Sequence, residues 1–180
     1  MAPPPRREAL ATLREGQDRL TELFGRLSDD AMTRPATIGG GDWSVKDLMG
    51  HVAAWEELAL ISLDEWRRHE MPWVERPEGP MSGTDQVDAY NARVVEEKRA
   101  RDLHTIRRGA EASHQQLVAA IEAMADEEWL ATAPYSTQVG RIRTLADLLG
   151  TLTAAPKRPF GHAFAHLPDL EAYVRSLDAG

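Results

Sequence analysis

Trp43-Ser-Val-Lys-Asp-Leu-Met-Gly-His51-Val-Ala-Ala-Trp55 is the stretch that decides how the chain is read. Ser44 stands at a helix N-cap position and Asp47 lies three residues on. That is capping-box spacing, in which each side chain accepts a hydrogen bond from the other residue's amide. Trp43 and Leu48 hold the two positions of a hydrophobic staple around the cap. From Leu48, residues His51, Trp55, Leu58 and Ser62 follow at steps of three and four, so they share one helical face. The pattern predicts a helix reaching about His69, with a histidine on its apolar side.

Working outward, Leu10, Leu13, Leu20, Phe24 and Leu27 predict an amphipathic helix over 6–28, after which Gly39-Gly40-Gly41 breaks the chain. Prolines and glycines make 71–83 a loop. Helical pattern resumes near Thr84 and runs to about Met124, but 96–102 is polar all round, which allows a bend or break there. Asp126–Trp129 reads as a short capped turn. Residues 131–142 read as irregular, with extended character near Tyr135 to Ile142. Thr144 then repeats the start signal with Asp147, and a last helix spans 160–178 with Pro168 inside it. The class is all-α, with at least four main helices and no convincing alternating strand. The whole chain, 1–180, reads as one domain, with 1–5 and 179–180 as flexible tails.

Hydrophobic residues at 42% and charged residues at 28% are globular rather than disordered composition. No apolar run reaches the ~18 residues of a membrane helix, and no signal peptide is read at the start, so a cytoplasmic protein is expected. The absence of cysteine excludes disulfides, thiolate metal sites and cysteine nucleophiles. A net charge of −8 speaks against a nucleic-acid partner, and the basic residues of 98–108 read as solvated helix surface. Neither Gly-x-Ser-x-Gly nor a Gly-rich phosphate loop occurs, so acyl and phosphoryl transfer lack their usual parts.

Gly161-His-Ala-Phe-Ala-His-Leu-Pro168 places His162 and His166 four apart, on one helical face and about 6 Å apart along the axis, within reach of one metal ion. His51 has two readings. It is a core histidine satisfied by a carbonyl, or a third ligand meeting the pair across a bundle interior, where such sites are built. Trp55, one turn beyond His51, either packs the core or forms a flat pocket wall. Glu56 either orients a ligand histidine or acts as a base, unless it is plain solvated surface, since neighbouring helical residues point about 100° apart. Asn91 is a candidate polar group of the interior, and Asp169 a candidate partner of His166. His69, His104 and His114 are assigned no role.

The segments Trp43–Glu56 and Pro159–Leu170 resemble the helix-two signature and the closing His-x-x-x-His helix of the DinB/YfiT-like superfamily. Val87-Asp-Ala-Tyr-Asn91 and the helix running to Trp129 resemble more particularly its ClbS/DfsB branch. The likeness spans roughly Ala9 to Leu177. It implies a four-helix bundle of unusual helix order, with long loops and short extra helices. It also implies a divalent metal, zinc or nickel, on His51, His162 and His166. The activity implied is hydrolysis or thiol transfer on a small electrophilic molecule, with a low-molecular-weight thiol as a cosubstrate in some relatives. The branch implies an alternative, namely self-protection without metal, by hydrolysis or by sequestering a toxic small molecule. A small-molecule substrate is thus the expected partner. No nucleic acid and no membrane are expected, and the chain is read as a monomer or homodimer.

Overall fold

The computed structural model describes residues 3–39, 41–135, 144–156 and 158–178. Its α-helices, numbered along the chain, are α1 (Arg6–Gly25), α2 (Asp29–Thr33), α3 (Val45–Arg67), α4 (Thr84–Arg99), α5 (Leu103–Glu122), α6 (Asp126–Trp129), α7 (Leu145–Leu152) and α8 (His162–Asp178). Single 3-10 turns at Trp73–Glu75 and Pro80–Ser82 punctuate the loop after α3. Among the described residues β pairing is limited to isolated bridges, such as Ile38 with Trp43 and Thr132 with Thr144. The extended character expected up to Ile142 falls largely outside the described residues.

Both capping boxes read from the sequence are formed. Asp47 Oδ2 accepts the Ser44 amide at 2.9 Å while the Asp47 amide donates to Ser44 Oγ at 3.1 Å. Thr144 and Asp147 do the same at the start of α7, at 3.1 and 3.2 Å. The polar stretch 96–102 is a true break. Asp102 caps α5 by accepting the Thr105 amide at 2.8 Å, and Lys46 Nζ ties the junction to α3 by donating to the carbonyls of Arg99 and Arg101. Pro168 does not end α8, which continues to Asp178. The Pro4 carbonyl accepts the Trp129 indole N–H at 3.1 Å, which holds the chain just before α1.

Four helices make the bundle. α1 lies against α5 and α8, and α3 lies against the same two, so α1 and α3, consecutive among the four, stand diagonally. α4 and α7 pack on the outside of α3. This arrangement makes α3 the hub, buried on nearly every side, and even its charged residues Asp47, Glu56 and Glu65 are covered. The expectation of one buried face was too narrow, because a helix's own periodicity does not report how many neighbours surround it. The basic residues in the last turn of α4 are also less free than expected. Lys98 is largely covered and reaches Glu57 at 2.7 Å, while Arg99 contacts Asp42 at 3.0 Å and Asp47 at 3.4 Å.

Two apolar clusters fill the interior. One gathers Trp55, Leu58, Leu117, Leu149 and Phe160, and the other gathers Leu20, Leu48, Val52, Leu170 and Val174. His51 comes between their members on α3, and His162 between Phe160 and Ala163 near the start of α8. The polar site therefore lies at the seam of the core.

Candidate metal centre

α8 begins at His162 because the chain before it is pinned. Phe160 is buried, stacks on Trp129 with ring centroids 5.6 Å apart, and adopts φ 60°, a left-handed conformation costly for a bulky residue. The His162 amide then donates to the Thr153 carbonyl at 2.8 Å, tying the start of α8 to the end of α7. On the other side Gly16 lets α1 approach closely, since a Cβ there would sit 2.9 Å from Ala163 Cβ.

These constraints bring the three sequence-predicted histidines together. His51 Nε2 lies 3.1 Å from His162 Nε2, and His166 Nε2 lies 3.2 Å from the same atom. The three candidate ligand atoms all fall within 4.8 Å of one another. Two ligand nitrogens on a tetrahedral zinc ion, each at ~2.0–2.1 Å, would stand about 3.3 Å apart, so the spacing suits a shared ion. Hydrogen bonding alone serves the cluster poorly. His162 Nε2 carries either a proton or a lone pair, so it cannot donate to one neighbour and accept from the other.

Electrostatics point the same way. Burial, with His166 adding to it, pushes His51 down to about 3. Burial lowers His162 well below the ordinary imidazole value, helped by His51 and then His166. Burial lowers His166 too, against an opposing pull from the Asp169 carboxylate. All three are neutral at pH 7, the form that ligates metal, and three neutral ligands leave a divalent ion its full charge. Asp169 acts on His166 through its charge, and no hydrogen bond joins the two. The Nδ1 atoms of His51 and His162 are buried without a hydrogen-bond partner among the described residues.

The surrounding candidates separate. Trp43 lies over His51 with centroids 4.9 Å apart. Trp55 is buried and stands edge-on to His162 at 6.2 Å, and its indole N–H donates to Asn91 Oδ1 at 2.9 Å. Asn91 is thus half-buried beside the site, holding the tryptophan. Glu56, next to Trp55 in the chain, is buried rather than solvated surface. It points towards α5, where Oε1 meets His114 Nδ1 at 2.9 Å, both side chains buried. Sequence reading passed over His114. A signal existed, because Ala110, His114, Leu117 and Ile121 recur at steps of four, three and four along the inner stripe of α5.

The DinB superfamily profile matches residues 12–154, and the chain belongs to that superfamily. The matched span includes His51 and ends before His162 and His166. None of the curated proteins matches the chain. Among solved structures, an uncharacterised protein from Escherichia coli UTI89 is similar with a TM-score of 0.77 at 12% identity, covering 98% of this chain and 96% of its own. The colibactin self-resistance protein ClbS, in complex with a dsDNA, is similar with a TM-score of 0.66 at 14% identity, covering 99% and 96%. The fold is therefore the DinB-like, ClbS-type helical bundle that the sequence resemblance implied.

One expectation is corrected by these neighbours. The net charge of −8 was read as excluding nucleic acid, yet a protein of this fold was crystallised with duplex DNA. Net charge sums over the whole surface and does not fix the potential of any one face, so it cannot carry that exclusion. The membrane expectation has a narrower footing: no described helix is long and apolar enough to cross a bilayer.

Proposed function

We propose that this DinB-superfamily protein is a one-domain enzyme that holds one divalent ion, zinc or nickel, on His51, His162 and His166 and transforms a small electrophilic molecule. The convergence of the three Nε2 atoms carries the reading. Three protein ligands leave a fourth position for a reactant, the pattern of catalytic rather than structural zinc. When bound, the ion supplies Lewis-acid activation of a nucleophile, a water or a cosubstrate thiolate.

The chain's own residues do the rest. His51 and His166 flank His162 and stay unprotonated because the core surrounds them. Trp55 offers an apolar wall at the site's edge, and Asn91 keeps its indole from turning. With no cysteine in the chain, a sulfur nucleophile comes from a small thiol.

The test offers strained or unsaturated electrophiles to metal-free and zinc- or nickel-loaded protein, with and without a low-molecular-weight thiol, and follows products by mass spectrometry. Turnover that requires metal supports the proposal, and the thiol dependence then names the nucleophile. Equal turnover by the His51/His162/His166 triple alanine variant would refute it. Stoichiometric retention of unchanged ligand would replace catalysis with sequestration.

A further inference from the structure

Glu56 and His114 form a buried acid–base pair that the three-histidine site does not use directly. Between Glu56 and that site lies a small cavity of about 10 Å3, the size of one water, walled by Leu13, Val52 and Phe160 and by the polar residues Gln17, Glu56, Thr153 and His162. His162 Nδ1 is buried and lacks a partner among the described residues, and the contact of Glu56 with His114 uses Oε1, so Oε2 is open to a second partner. One cavity thus joins a buried ring nitrogen that needs an acceptor, if Nε2 is to face a metal, and a carboxylate that can accept a further hydrogen bond.

We propose that Glu56 is a positioning residue for His162. A single water in this cavity accepts from His162 Nδ1–H and donates to Glu56 Oε2, while Glu56 Oε1 accepts from His114 Nδ1–H. The relay rests on the metal reading above, because it fixes the tautomer that leaves the Nε2 lone pair pointing at His51 and His166. Such partners behind a ligand histidine fix ring orientation and raise ligand basicity, and their loss costs roughly 10–100-fold in metal affinity. His114 holds the carboxylate in turn from α5, so three helices set one imidazole. Its neighbours along the same helix, Glu111 and Gln115, are exposed.

Two measurements on the full-length chain test the relay. Zinc affinity is read by chelator competition for the wild type, Glu56→Leu and Glu56→Gln. The tautomer of His162 is read from imidazole 15N shifts in the metal-free protein at pH 8. Glu56→Leu is expected to weaken zinc binding by about tenfold or more. Glu56→Gln keeps one acceptor oxygen but sets an NH2 donor where the second carboxylate oxygen stood, so it is expected to restore only part of the affinity. The wild type should show His162 as the Nδ1–H tautomer, and Glu56→Leu should show a mixture. Unchanged zinc affinity and tautomer in Glu56→Leu overturn the relay. So does an Nε2–H tautomer in the wild type, a result that needs no variant to fold. A wild type that binds no zinc defeats the metal reading alone, and the tautomer still decides the relay.

Discussion

The indole N–H of Trp55 on α3 donates to Asn91 Oδ1 on α4 at 2.9 Å, 36 residues away in sequence. The bond fixes a large aromatic that is both edge-on to His162 and packed against Tyr90, at 6.2 and 5.0 Å between ring centroids. Replacing Asn91 with leucine leaves a buried indole donor unsatisfied, which costs about 1–3 kcal/mol. Urea unfolding should show that loss, with altered Trp55 fluorescence. Wild-type stability in Asn91→Leu would mean that the indole finds another partner at no cost.

Gly16 sets the distance between α1 and α8 next to His162. Alanine gains about 1 kcal/mol of helix propensity, but its Cβ would stand 2.9 Å from Ala163 Cβ, and overpacking costs about 1–3 kcal/mol. Gly16→Ala should therefore be near neutral to slightly destabilising. Gly16→Val, with two further methyl groups, should lose stability clearly and weaken metal binding by displacing His162. A stabilised Gly16→Val, measured by thermal unfolding, would show that the helices separate freely.

Protonation of the site should be visible in the pH dependence of the metal-free protein. His51 is held near 3 when folded and titrates at ~6.5 when unfolded, so between those values the unfolded state binds more protons. Stability is then full above about pH 6.5 and falls as the pH drops towards 3, by up to about 1.4 kcal/mol per pH unit for His51 alone. His162 and His166, lowered in the same direction, add to the slope. The Asn triple variant at these positions should flatten it between pH 6 and pH 4. Equal slopes in the two proteins would mean that carboxylates elsewhere account for the acid sensitivity.

How much of this was legible in the sequence follows from where the information resides. Local chemistry is written locally. Ser44 with Asp47 and Thr144 with Asp147 mark two helix starts that formed as spaced, whereas the cap at Asp102 shows only in the structure. The His162–His166 pair sits one helical turn apart because the spacing dictates it, and the family resemblance led to His51 across the bundle. Glu56 and His114 could not be paired that way. Their meeting depends on α3 being the hub and on α5 lying along its far side, a relationship between helices 58 residues apart at this contact. The reading of nucleic acid failed for a related reason, since net charge says nothing about how charges are distributed over a folded surface.

The most direct measurement is the metal content of protein purified without added metal and then equilibrated with one equivalent of zinc. The account predicts one tightly held divalent ion per chain in the wild type and in His104→Ala, with a marked loss in each of His51→Ala, His162→Ala and His166→Ala. Equal metal content in all four variants, or a wild type that retains none, would contradict it.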